Sequence, residues 1–433
     1  MMTMTIIRKS IRWMMYSAII GIAVGSAAAL FLAGLEYATY LQNSFYWLLL
    51  LLPAAGGGMS FLFAKYGANT AKGNNLLIEQ IRRSDDLPDR YERVPIRMAP
   101  LILIGTWVTH LFGGSAGREG TAVQMGGSLA DWFGRIVKVD SAGRRIFLLC
   151  GISSGFGAVF GTPWAGAVFA LEVVIMGRKI TYHAILPSLI AAIVANYTTL
   201  AWGIHHIDYS MGSGISSFSW VILLKVLVAS ILFGWMSLIF TAAIHFVKRI
   251  SSKLMPLGWL RAVVGGLVII GLTFAVGTRR YLGLSLPLLI QSFQEQVPGA
   301  AFLWKTVFTV VTLGTGYLGG EVTPLFVIGA ALGNALAPLL HLSVAFLAGL
   351  GLIAVFSGAA NAPLACAVLG LELFGISGAG YMLLACFVSY MFSGHSGIYS
   401  SQLIDVAKPR YYIKVPGLSM LHSKRQKGRN ARQ

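Results

Sequence analysis

Read for hydrophobic and polar positions, the chain is a succession of apolar runs separated by short polar breaks. Residues 14–33, 45–64, 220–247, 262–276 and 343–356 are nearly free of charge, and about 20 apolar residues suffice for an α-helix to cross a bilayer. No soluble domain stands apart from them. The pattern predicts an all-α polytopic membrane protein, with breaks at 82–97, 131–145, 203–219, 248–258 and 278–297. Many apolar segments are short or interrupted by Gly and Pro, with 51 glycines in all. Broken helices survive in a bilayer only where they line a protected cavity, which points to a transport site.

The two halves echo each other. The string GTPWAGAVFALE at 161–172 resembles NAPLACAVLGLE at 361–372, with Pro163/Pro363, Ala165/Ala365, Ala167/Ala367 and Glu172/Glu372 all offset by 200. At an offset of 202, Gly117, Glu119 and Thr121 match Gly319, Glu321 and Thr323, and Gly127 matches Gly329. Two blocks in the same order indicate a two-repeat transporter whose site lies where the repeats meet. Spacing alone does not separate parallel from inverted repeats. The halves are drawn as 1–247 and 258–408, joined by a linker at 248–257 and followed by a basic tail at 409–433.

Composition supports the membrane reading: 56% of the 433 residues are hydrophobic and only 11% charged, against about a quarter charged in an average soluble domain. The formal charge of +18 could suggest nucleic acid, but the basic residues lie at the ends and in short loops, including Arg8, Lys9, Arg12, Arg178, Lys179 and the clusters at 82–97, 248–261 and 424–432. That is the positive-inside pattern; both termini are expected in the cytoplasm, the tail facing lipid headgroups, and no nucleic-acid partner is implied. The apolar stretch after Arg12 is too long for a cleaved signal peptide and is followed by others. Cys150, Cys366 and Cys386 lie in apolar surroundings without metal-ligand spacing, so neither a metal nor a cofactor is expected.

Four segments carry candidate chemistry. In GGSAGREGTAVQMGG at 113–127, glycines precede a helix-forming run, exposing backbone N–H groups at a helix start, where anions bind. Glu119 stands at that start. Its carboxylate can occupy the anion site when ionised and leave it when protonated, making one residue both gate and proton carrier; the alternative is that it caps its own helix or pairs with Arg118. An ionisable group in a membrane core favours the functional role. The string GYLGGEVTPLFVIG at 316–329 has the same design, with Pro324 suited to a first helical turn; Glu321, Val322 and Thr323 should face the anion, and Thr323 can also be the N-cap. In AKGNNLLIE at 71–79, Gly73, Asn74 and Asn75 precede another helix, the amides serving as anion donors or as caps. Tyr399, in SGHSGIYSS at 393–401, points its hydroxyl into the pathway or anchors the chain at the interface.

Together these segments resemble the CLC family of chloride channels and anion/proton antiporters. GREG at 117–120 looks like the family's G(K/R)EGP motif, GEVTP at 320–324 like GxFxP, GNNLL at 73–77 like GSGIP, and Tyr399 like its pore tyrosine. The resemblance implies inverted repeats of broken, tilted helices and a homodimer with a pore in each subunit, in a cell membrane such as the bacterial inner membrane. The departures are specific: the family's chloride-coordinating serine falls within Asn74-Asn75, its prolines become Leu77 and Thr121, its phenylalanine becomes Val322, and the internal proton-relay glutamate is Val173. These changes are similar to the fluoride/proton antiporter branch. That likeness implies Glu119 as gate, Glu321 as second proton-coupling carboxylate, and fluoride contacts from Asn75, Val322, Thr323 and Tyr399, with Asn74 and Gly73 alongside. A chloride/proton antiporter or chloride channel is the alternative.

GSGIS at 212–216 looks even more like GSGIP, but it lies in a polar stretch and reads as a flexible connection. An intramembrane enzyme built on Ser115, Ser153, His245 or His395 is the rival of a different class; no HExxH or GxSxG pattern supports it.

Overall fold

A computed structural model describes residues 2–83, 94–176, 182–207, 209–212, 219–404 and 408. The tail at 409–433, most of the 82–97 break, the pair Arg178-Lys179 and most of the 212–216 string lie outside the described residues.

The described chain is almost entirely helical. In order, the helices are α1 Met2–Ser44, α2 Leu52–Leu62, α3 Asn74–Arg83, α4 Met98–Leu111, α5 Glu119–Ile136, α6 Ser141–Phe160, α7 Pro163–Glu172 and α8 Tyr182–Ala201, then α9 Trp220–Leu254, α10 Gly258–Val276, α11 Leu286–Gln294, α12 Ala301–Gly314, α13 Val322–Leu340, α14 Val344–Ala360, α15 Pro363–Phe374 and α16 Ala379–Phe392. One parallel pairing of two-residue strands joins Ile175–Met176 to Leu403–Ile404. Among the described residues six segments are long and apolar enough to span a membrane; α3, α4, α7, α11, α12, α14, α15 and α16 are shorter. Large apolar side chains such as Leu224, Phe246 and Phe274 are more than 60% exposed, the surface expected of a protein whose solvent is lipid.

Close helix crossings hold each half. A Cβ at Gly126 would run into the carbonyl oxygen of Gly151, and one at Gly329 into that of Gly351. Glycine is thus required where α5 meets α6 and where α13 meets α14, because backbones in lipid pack through small residues. In this respect the counterpart of Gly329 is Gly126 rather than Gly127, which instead makes room for Leu77.

The repeats are also stapled. Pro163 and Pro363 open α7 and α15. Glu172, ending α7, accepts hydrogen bonds from the N–H groups of Leu364 (3.1 Å) and Ala365 (2.7 Å) at the start of α15. Glu372 near the end of α15 returns the contact, accepting from Trp164 (3.0 Å) and Ala165 (2.7 Å) at the start of α7. The glutamates matched by sequence are therefore reciprocal caps between inverted halves.

Three expected breaks are narrower than the polarity suggested. In 131–145, Asp131 lies inside α5, buried, and accepts from Arg144 of α6 at 2.5 Å. These charges form a helix-to-helix pair, and only 137–140 is non-helical. The 278–297 stretch contains α11, begun by Leu286 and Pro287. The expected linker at 248–257 is helical to Leu254, because Lys253 in the last turn of α9 complements the negative end of the helix dipole. The division drawn at 247 thus falls inside α9, which packs on α12, α14 and α16 of the second half.

Candidate functional site

The two glycine-rich approaches touch at the junction of the halves. The Gly117 N–H donates to the Gly320 carbonyl (2.7 Å) and the Gly320 N–H donates to the Gly117 carbonyl (2.8 Å), an isolated antiparallel bridge. A Cβ at Gly320 would lie 2.7 Å from the Gly120 nitrogen, so the bridge needs glycine there. It sets the N-termini of α5 and α13 side by side.

Glu119 is the first residue of α5 and is 1% exposed. Its carboxylate does not cap its own helix. It crosses to α13, accepting from the Thr323 N–H at 3.0 Å and from the Thr323 hydroxyl. It also accepts from the Arg118 N–H at 3.1 Å, with the Arg118 guanidinium 3.6 Å away. The pairing with Arg118 and a position on a helix N-terminus therefore coexist, but the helix belongs to the other repeat. Charge-assisted hydrogen bonds of this kind are worth about 1.5–3 kcal/mol each, and the dipole of α13 adds to them. The carboxylate sits at a helix start, the kind of position that suits a negative charge.

Thr323 lies in the first turn of α13 with Pro324; the residue at the N-cap position is Glu321, so Thr323 acts through its own donors rather than as a cap. Val322 is 1% exposed and contributes an apolar wall. A Cβ at Gly120 would lie 3.8 Å from a Glu321 carboxylate oxygen and 3.2 Å from the Asn74 amide nitrogen, so Glu321 and Asn74 converge on the start of α5.

Gly73, with φ of +56°, turns the chain into α3, whose first residues are Asn74 and Asn75. The neighbours then part. Asn75 accepts from the Ser401 N–H at 2.9 Å, fastening the turn that carries Tyr399. Asn74 faces Gly120, and its carbonyl oxygen is buried without a hydrogen-bond partner among the described residues. Tyr399 is buried and edge-on to Phe169, ring centroids 6.3 Å apart; it is a core residue, not an interfacial anchor. Its turn is held by His245, whose ring nitrogen lies 3.0 Å from the Gly397 carbonyl.

Two polar residues escaped the sequence reading. Gln124, on α5, reaches toward Gly73, where a Cβ would lie 3.3 Å from its amide nitrogen. Lys305, on α12, is wholly buried. A lone lysine inside an apolar run is itself a signal. Beside Glu119 a small cavity of about 10 Å³, room for about one water, is lined by Arg118, Glu119, Tyr209, Leu286, Leu289 and Thr323 among others.

A carboxylate borrowed by the opposite repeat's helix start, beside a small cavity and with the half-buried Glu321 close to the same helix start, defines the class: a membrane carrier of small anions built on broken helices. The chain matches the family described as voltage gated chloride channel over residues 55–394, and it belongs to that family, the CLC proteins. It is 45% identical over 403 residues to the chloride/fluoride channel protein of Pseudomonas syringae pv. tomato, spanning 92% of this chain and 87% of that one. A crystal structure of a CLC-type fluoride/proton antiporter superimposes with a TM-score of 0.87 at 34% identity, over 91% of this chain and 98% of the other. A slow cyanobacterial chloride/proton antiporter shares the fold, with a TM-score of 0.77 at 22% identity over 90% of this chain and 96% of that one.

Proposed function

We propose that this chain exports fluoride in exchange for protons, with Glu119 as gate and proton carrier. The observation that carries the reading is the seat of the Glu119 carboxylate on the Thr323 N–H and hydroxyl. Both are donors to an anion. When Glu119 takes up a proton it loses its charge and its claim on them, and fluoride, a strong hydrogen-bond acceptor, replaces it. The proton then rides on Glu119 as the anion crosses, which couples the two movements. Glu321 and Asn74, converging on α5, are read as the second proton-coupling carboxylate and its neutral companion. Val322 walls the path and Tyr399 closes its inner side, while Gly73 and Asn75 shape the approach. Relatives named for fluoride transport support the choice of anion.

Fluoride crosses membranes as neutral hydrofluoric acid and ionises in the cytoplasm, so a carrier trading outgoing anion for incoming proton keeps it low. By family likeness the protein is a homodimer in a bacterial inner membrane. The basic residues Lys248, Arg249, Lys253 and Arg261 around the α9–α10 connection support placing that connection, and both termini, in the cytoplasm. Of the residues considered for an enzyme, Ser115 shares a hydrogen bond with the Thr309 hydroxyl and His245 lies against the Gly397 carbonyl; the reading as a transporter needs neither as a nucleophile.

The test is efflux from liposomes holding the purified protein, fluoride and chloride followed by ion-selective electrodes and protons by a pH electrode. Fluoride efflux far above chloride, with protons driven uphill by the fluoride gradient, is expected. Equal or faster chloride movement overturns the choice of fluoride and leaves a chloride antiporter or channel.

A further inference from the structure

Lys305 stands near the start of α12, 0% exposed. Burying an ammonium costs several kcal/mol unless it is well paired, yet no carboxylate pairs with it among the described residues. Its Nζ is instead ringed by neutral oxygens: Ser115 Oγ, the Gly283 carbonyl and Ser285 Oγ, each at 2.9 Å, and the Tyr281 carbonyl at 3.3 Å.

These oxygens come from two different places. Ser115 belongs to the approach that ends, four residues on, in Glu119. Tyr281, Gly283 and Ser285 belong to the connection between α10 and α11, which bends through positive φ at Gly283 (+56°) and at Ser285 (+57°). A serine in that region is strained and persists only when its surroundings hold it. Directly after it, Leu286 and Leu289 of α11 line the cavity beside Glu119, together with Arg118. Ser115 is further fixed to α12 by Thr309, whose hydroxyl lies 2.9 Å from its own, and by Thr312, which accepts from its N–H at 3.1 Å. One side of the cavity is therefore tied to α12 several times; for the Tyr281–Ser285 bend, the ammonium supplies three contacts.

We propose that Lys305 is a positioning residue that clamps the two walls of the cavity beside Glu119, the glutamate loop and the start of α11, so that the gate opens into a passage of fixed width. The clamp is a geometric inference; its effect on coupling rests on the antiport reading above.

The experiment uses the full-length protein in liposomes with Leu286→Cys, a half-buried position on the cavity wall, as reporter and a membrane-impermeant thiol reagent. Cys150, Cys366 and Cys386 are buried, and the parent without the reporter gives the background. Lys305→Met is expected to speed labelling of the reporter about tenfold and, without the reporter, to slow fluoride-driven proton movement about tenfold, since one hydrogen-bonded charge is worth at least one such factor. Lys305→Arg, which keeps charge and donors, is expected to recover most of both. Ser115→Ala cuts the other end of the clamp, and combined with Lys305→Met it should add little further labelling. Labelling unchanged in Lys305→Met overturns the proposal. Should that variant not fold, labelling unchanged in Ser115→Ala overturns it equally. Labelling needs no transport, so a parent protein that moves no protons with fluoride sinks the antiport reading while leaving the clamp to stand on its own result.

Discussion

Glu119 and the pair Glu172/Glu372 use one device to opposite ends. Each is a carboxylate from one repeat resting on the first turn of a helix from the other. Glu172 and Glu372 each accept from two successive backbone N–H groups. Such donors are fixed in the helix, so the contact is a permanent staple between α7 and α15. Glu119 has one N–H of α13, a side-chain hydroxyl and its own neighbour Arg118, and it faces a cavity. A hydroxyl can rotate and a cavity can admit a replacement, so the same contact becomes exchangeable. On the reading proposed for Glu119, what separates gate from staple is the mobility of the donors and the room for a substitute, not the carboxylate.

The sharpest test of that distinction neutralises each carboxylate in turn. Glu119→Gln is expected to abolish fluoride-driven proton uptake in liposomes, a loss of about a hundredfold or more given that a positioned proton-transfer group contributes at least that much. Glu172→Gln and Glu372→Gln should keep coupling. The difference fails if either staple variant uncouples the protein as Glu119→Gln does.

Next in size is Gly320→Ala. The added methyl would lie 2.7 Å from the Gly120 nitrogen and 3.2 Å from that of Glu119, wedging apart the bridge that aligns the two helix starts. Fluoride flux should fall about tenfold or more, with stability lowered by about 1–3 kcal/mol as for other overpacked sites. Wild-type flux from this variant would mean that the bridge does not position the gate. Thr323→Val follows, keeping shape and N–H but removing the hydroxyl. Loss of one hydrogen bond to a charged group, about 1.5–3 kcal/mol, should slow fluoride exchange about tenfold, and little further when Glu119 is already Gln. Additive losses in the double variant would separate Thr323 from the gate.

The staples themselves set the next step down. An amide in place of Glu172 can accept from only one N–H and turns its own donors on the other, so each staple variant should lose about 1–3 kcal/mol against detergent or heat while transport per folded protein holds. Unchanged stability in both would make these contacts incidental.

Much of this was legible in the chain because it is carried by local pattern. Apolar runs give the spans, Pro163 and Pro363 open their helices, and glycines before Glu119 and Glu321 mark the exposed helix starts. The destination of each carboxylate was not legible. Glu119 reads as belonging to α5, whereas its Thr323 donors lie 204 residues away, brought alongside at the Gly117–Gly320 bridge. Asp131 and Arg144 read as loop residues because a charge is ambiguous until its partner is known; their pairing keeps them in helices. Lys305 is not legible because its partners are neutral oxygens, one from the Glu119 approach and three from a bend with no motif.

The smallest effect separates two adjacent asparagines, and it repeats the contrast between gate and staple one residue apart. Asn75 is engaged by a backbone N–H, that of Ser401, which makes it a local staple for the Tyr399 turn. Asn74 is turned toward Gly120 and Glu321, with a buried carbonyl oxygen that has no partner among the described residues. An unpaired buried acceptor is costly and is met only by a donor such as a protonated Glu321 carboxyl, whereas the Asn74 amide N–H, directed at the start of α5, is the group able to meet an anion. Asn74→Ala is therefore expected to lower fluoride flux severalfold with stability unchanged or slightly raised. Asn75→Ala should cost about 1 kcal/mol of stability and alter flux only through the Tyr399 turn. Paired measurements of fluoride flux and thermal unfolding on both variants decide it. If Asn75→Ala gives the larger loss of flux at unchanged stability, the anion contact belongs to Asn75, and the geometry of α3 must shift when fluoride binds.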